Sequence, residues 1–202
     1  MARLDVPLLA GLTMLLCAQP CPAQTSATVY GGYRGGGSFQ ESTSPYAALD
    51  LQSGGAASFS VDWVIDANRQ GQVFVSRQAS EFPASGSVTP AVPLTVTVLH
   101  VGGTNFFEGG VGRGPYVVGG LGITVLTPRQ SGLSTEVRPS LNLGVGYQLP
   151  LAQSLALRLE LRGYITAINS SATLFCSGGC VLSVRADTLT QTEALLGLSF
   201  GF

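Results

Sequence analysis

In the run Leu155-Ala-Leu-Arg-Leu-Glu-Leu-Arg162 every second residue is leucine, and Arg158, Glu160 and Arg162 fall on the opposite parity. A helix would spread those leucines around its whole circumference. Period two therefore decides for a strand with one apolar and one charged face. Arg34, Asp62 and Glu193 hold the same kind of place, on the polar parity of ATVYGGYRGG, AASFSVDWVID and QTEALLGLSFGF. Six charges on inward strand faces could do one of two things. They could neutralise one another as a buried ion-pair network, because an unpaired buried charge costs several kcal/mol. They could instead line a narrow passage for ions or protons. An eight-stranded barrel is just wide enough for side chains to fill it, which favours the network.

Eight strands are predicted to carry these faces. Ala27 to Gly36 sets Val29, Gly31 and Tyr33 against Tyr30, Gly32 and Arg34. Ala57 to Asp66 sets Phe59, Val61, Trp63 and Ile65 against Ser58, Ser60, Asp62 and Val64. Gln72 to Ser80 is the third, with ambiguous facing. Leu94 to Phe107 is the fourth, and its apolar parity switches between Val98 and Leu99, which implies a bulge or a stretch turned into the barrel. Pro115 to Leu126 turns Val117, Leu121, Ile123 and Val125 outward. Leu141 to Leu149 and Leu155 to Thr166 alternate cleanly, and the eighth strand is Leu189 to Phe202. The links after the even strands (67–71, 108–114 and 150–154) are short. Those after the odd strands (37–56, 81–93, 127–136 and 169–187) are mostly longer. Membrane barrels show this alternation, with short periplasmic turns and long external loops.

Composition excludes an ordinary soluble domain. Only 10% of residues are charged, against about 25% in typical soluble proteins, and mean hydropathy is +0.35. No run after the N-terminal segment is long and apolar enough for a spanning helix. The net charge of −1 lacks the basic footprint of a nucleic-acid binder. At the start, Arg3, the apolar run Val6 to Leu16 and the small residues around Cys21-Pro22-Ala23 read as a signal peptide over residues 1–23, cleaved near Ala23. At the other end, Leu196, Leu198, Phe200 and Phe202 share one face. That tail resembles the C-terminal signal of bacterial outer-membrane β-barrels. With YGGYRGGGSF, PYVVGGLG and LNLGVGYQL, it makes residues 24–202 similar to the small eight-stranded barrels of the OmpA/OmpX type.

The resemblance implies an all-β, eight-stranded antiparallel up-and-down transmembrane β-barrel. It implies a place in the bacterial outer membrane, with outer-membrane lipid, the barrel assembly machinery and periplasmic chaperones as partners. Trp63, Tyr33, Tyr147, Phe200 and Phe202 then read as interface-belt aromatics. Patterns of this kind specify architecture and leave activity open. The expected role is non-enzymatic, either structural, adhesive or surface-interacting through the external loops. The alternatives are a narrow channel and a lipid-modifying enzyme. Eight-stranded lipid hydrolases resemble one another in a His-x-Ser pair. Here Val101 and Gly102 follow His100, the single histidine, so that pattern is absent. Cys176 and Cys180 flank Ser177-Gly178-Gly179 in the last external loop, where an oxidising compartment permits a disulfide and the glycines let the chain double back. No His or acid lies between Thr173 and Val184, so neither a metal site nor any cofactor is expected.

If the tail is an assembly signal, deleting Phe202 lowers the amount of barrel in the outer membrane and leaves unassembled periplasmic protein. Cell fractionation with heat-modifiable gel mobility reads both, and unchanged assembly would contradict the reading.

Overall fold

A computed structural model describes residues 25–40, 51–82, 92–129, 132–168, 173–176, 180–183 and 188–202. The expected signal peptide and the linker 177–179 between the cysteines lie outside the described residues. The strands, in chain order, are β1 (Thr25–Gln40), β2 (Gly54–Val64), β3 (Arg69–Phe82), β4 (Val92–Phe106), β5 (Gly114–Pro128), β6 (Glu136–Ala152), β7 (Leu155–Ala167), β8 (Thr173–Cys176), β9 (Cys180–Ser183) and β10 (Thr188–Gly201). Eight of them close into one antiparallel barrel in the order β1-β10-β7-β6-β5-β4-β3-β2, with β1 bonded to β2 on its other side. Closure leaves no free edge, so every strand pairs on both flanks. The backbone of Phe202 closes the seam by accepting from and donating to Thr25.

Side-chain alternation sets the two surfaces. Tyr30, Arg34, Asp62, Arg158, Arg162 and Glu193 are buried, whereas Val29, Tyr33, Trp63, Leu143, Leu161, Leu198 and Phe200 are exposed. The outside of this barrel is therefore apolar and the inside is polar, the inverse of a water-soluble domain. Trp63, Tyr33, Tyr147, Phe200 and Phe202 all point outward.

The sequence reading needs correction in four places. Most strands run longer than expected: β1 spans 25–40 rather than 27–36, and β6 spans 136–152. β2 is displaced, running 54–64 in place of 57–66, because Asp66 opens the turn. The Asp66 carboxylate accepts the backbone N–H groups of Asn68 and Arg69, and the Arg69 side chain holds its carboxyl below the usual range. Of the two readings of the parity switch in β4, the bulge is absent, since its pairing with β3 and β5 runs unbroken, and the stretch turned into the barrel is present: Leu94, Val96 and Val98 point inward while Leu99 and Val101 point outward. The irregularities lie elsewhere, between Gly35 and Ser38 and between Pro150 and Ala152. Finally, the last long loop contains a small antiparallel hairpin, β8–β9.

The short links run 65–68, 107–113 and 153–154. In the second of these Gly109, Gly110 and Gly112, and at its end Gly114 of β5, take positive φ, a conformation that favours glycine. Leu161, central in β7 and 55% exposed, lies on the apolar wall. Leu161→Arg should cost about 2–4 kcal/mol if that wall meets lipid. Denaturant titration of the barrel refolded into vesicles reads the loss. A neutral result would mean that this face is not in hydrocarbon.

Candidate functional site

Alternation on β1, β2, β7 and β10 delivers all six predicted charges to the lumen, each with its side chain 0% exposed. They form three ion pairs. Asp62 and Arg158 meet at 2.9 Å near the short-turn end. Glu160 and Arg162 meet at 2.6 Å at mid-height. Arg34 and Glu193, direct cross-strand partners, meet at 2.9 Å, with Glu193 in register beside Arg162.

Neutral groups join the Asp62–Arg158 and Glu160–Arg162 pairs to each other, and a separate set holds the Arg34–Glu193 pair. Tyr30 and Tyr116 both donate to Glu160 Oε1, at 2.9 and 2.6 Å. Arg158 Nη1 also donates to the Tyr30 hydroxyl at 3.2 Å, which links Asp62–Arg158 to Glu160–Arg162. Gln72 bridges the same pairs a second way. It donates to Asp62 at 2.7 Å and accepts from Arg162 at 2.9 Å. Glu193 is held by Ser76 and by the Tyr164 hydroxyl. Arg162 lies 3.8 Å over the Phe74 ring, and Arg34 lies 4.8 Å over the Tyr164 ring, so aromatic faces cover what the carboxylates do not.

Two glycines make room for this arrangement. A Cβ on Gly146 would run into the Tyr116 ring, and one on Gly197 would run into the Tyr30 ring. These glycines sit on β6 and β10, the strands that flank β7, and they let the two rings lie against the wall with their hydroxyls on Glu160.

The sequence reading missed Tyr116, Gln72 and Ser76 as network members. Tyr116 was within reach, because the inward parity of Gly120, Gly122 and Thr124 extends back to it. Gln72 and Ser76 were not, because the facing of β3 depends on its register with β2 and β4. Leu195, an apolar residue on the inward parity of β10, packs inside with Tyr30, Phe74, Val98 and Tyr164.

Toward the long-loop end the lumen changes character. Leu94, Val96, Leu126 and Leu189 are buried there, in a layer of aliphatic side chains above the charges. His100 lies at mid-wall, stacked on Tyr164, with Nε2 2.9 Å from Ser140 Oγ. Its Nδ1 has no hydrogen-bond partner and so no orienting acid. This pair therefore lacks the third member that activates a serine nucleophile. No cluster of three or more potential metal ligands occurs among the described residues. The backbone register places Cys176 opposite Cys180 across β8–β9.

No family model matches the chain, and no curated protein matches it. Solved structures do. The crystal structure of Neisserial surface protein A (NspA) aligns over 89% of this chain and 97% of its own, with a TM-score of 0.58 and 12% identity. The solid-state NMR structure of outer membrane protein AlkL in lipid bilayers aligns over 91% and 93%, with a TM-score of 0.53 and 14% identity. The fold is that of the small eight-stranded outer-membrane barrels. At these identities the likeness concerns architecture, and the side chains of this lumen stand on their own geometry.

A double-mutant cycle on Asp62 and Arg158 tests the coupling. Arg158→Met or Asp62→Leu alone strands a fully buried charge, at about 3–5 kcal/mol each. The double variant should cost clearly less than the sum of the singles, read by urea unfolding in detergent or vesicles. Simple additivity would mean that the two groups do not interact.

Proposed function

We propose that this chain is an integral protein of the bacterial outer membrane whose barrel is a closed anchor, and that its work is done by the external loops. The role is non-enzymatic, either structural, adhesive or surface-interacting. The observation that carries this reading is the state of the lumen. Six charges are paired within 2.9 Å, and none of their side chains has accessible surface. An aqueous pore would wet the charges that line it. A sealed lumen leaves the loops as the parts free to meet a partner.

The apolar wall supports the membrane location, because a water-facing surface of this kind would aggregate. The long loops then lie outside and the tight turns in the periplasm. Leu196, Leu198, Phe200 and Phe202 share the outward face of β10, the arrangement expected of a tail recognised by assembly machinery and chaperones. The Cys176–Cys180 register supports a disulfide closing the tip of the external hairpin. The competing reading, a narrow passage for protons, draws on Arg34 Nε and Nη1, Arg162 Nη1 and His100 Nδ1, which are buried without protein partners.

Planar-bilayer recording of the refolded protein distinguishes the two. A sealed anchor gives no unitary current. Replacing residues 169–187 by a tight turn should leave insertion intact and abolish attachment to surface ligands such as glycosaminoglycan or matrix protein. Reproducible conductance that shifts on changing Arg34 or Arg162 would overturn the proposal in favour of the passage.

A further inference from the structure

The three short links differ in kind. Residues 65–68 and 153–154 are tight turns, whereas 107–113, between β4 and β5, is longer and rich in glycine. It does not hang free of the barrel. The Val111 N–H donates to the Ala67 carbonyl of the β2–β3 turn at 2.9 Å, and the Phe106 N–H donates to the Asn68 carbonyl at 2.8 Å. That turn is a firm support, because the Asp66 carboxylate already holds its backbone. On the other side, a Cβ on Gly112 would lie 3.9 Å from Gln148 Nε2 of β6. The link therefore reaches from the β2–β3 turn to β6, over the mouth between them.

The residues beneath it are dry. Phe106 is the last residue of β4 and Tyr116 the third of β5, yet each is only 1% exposed. Side chains at the ends of strands around an open mouth would be wet. Val111 packs against both, together with Val118. The two rings lie 4.9 Å apart, and the Tyr116 ring lies 5.3 Å from the Arg158 guanidinium carbon. Gln148, beside Gly112, accepts from Arg158 Nε at 2.9 Å. A single layer of side chains thus separates the link from the Asp62–Arg158 pair.

Hydrogen bonding divides the lumen at the same place. Among the described residues, no buried side-chain nitrogen or oxygen of Asp62, Gln70, Gln72, Thr104, Gln148 or Arg158 lacks a partner. The atoms without one belong to residues farther from the short-turn ends of their strands, such as Arg34, His100, Asn142 and Gln191. Polar groups at an uncovered mouth would bond to water. Here they bond one another beneath an apolar side chain, as a water-free site requires.

We propose that residues 107–113 form a hinged stopper for the periplasmic mouth, with Val111 as its plug, and that its position decides whether water reaches the Asp62–Arg158 pair. The plug is one side chain set between Gly110 and Gly112, both at positive φ. One backbone hydrogen bond, to Ala67, fastens it across the mouth. So small a set of contacts opens locally at far lower cost than the strand ladder does. The stopper rests on the closed-anchor reading given above, and it adds how the closure is kept at one end.

The test uses the full mature chain in detergent micelles, with Cys176→Ser and Cys180→Ser so that an introduced cysteine is the single thiol. Thr104→Cys, at a position 3% exposed beneath the stopper, is the reporter, and Gln70→Cys is a second one near the same mouth. Val96→Cys, at a buried position toward the long loops, is the control. Mass spectrometry follows labelling by a small cationic methanethiosulfonate, and heat-modifiable mobility confirms that each variant is folded. Val111→Gly should speed labelling of the reporters at least about tenfold, the scale of losing one packed valine, and leave the control unchanged. Gly110→Ala, whose Cβ would lie 3.1 Å from the Ala67 carbonyl oxygen, should act in the same direction. Equal labelling of the reporters with and without Val111→Gly, or an equal rise at reporters and control, would overturn the stopper. The closed-anchor reading fails separately, on a unitary current from the unaltered protein.

Discussion

Three guanidinium groups inside a cylinder of eight strands are tolerable because each has a carboxylate within 2.9 Å. Desolvating a charge costs several kcal/mol, and only a well-placed partner with further hydrogen bonds offsets it. Much of the interior is arranged around that constraint. Tyr30 and Tyr116 converge on Glu160, Tyr164 and Ser76 on Glu193, and Gln72 spans two pairs. The small residues follow as well, since Gly146 and Gly197 give way to the rings that bring those hydroxyls in.

The lumen has two layers with different chemistry. Around the charges every contact is directional, so a displaced ring or amide breaks specific bonds. Above them, Leu94, Val96, Leu126 and Leu189 pack without directionality. Together the paired charges and the aliphatic side chains fill the interior, with Gln78, Gln191 and the Glu136–Arg138 pair interspersed at the aliphatic level. Neither layer presents a nucleophile with its base and acid, and the His100–Ser140 contact stops at two members.

Period two made most of this legible in the sequence. Where one face is uniformly apolar, as in LALRLELR or LNLGVGYQL, parity alone tells inside from outside, because a strand has only two faces. Parity failed where both faces carry the same class of residue. In β4 the apolar residues move from the outer face to the inner one at the layer boundary. Their switch reads equally as a bulge or as a stretch turned into the barrel until the unbroken pairing of β4 with β3 and β5 is known. The partners within the network were less legible still. Which acid meets which arginine depends on the stagger of strands far apart in sequence, and a single strand does not record it.

The seam between β1 and β10 fixes an order of events in time. Tyr33 and Ala194 are register partners, as are Arg34 and Glu193, so the first strand waits for the last. Until β10 arrives, β1 has an open flank and Arg34 has no counterion. The half-built sheet is then both sticky at its edges and electrically unfinished inside. Folding cannot proceed to completion as the chain emerges. The ring closes only when the strand made last reaches the strand made first.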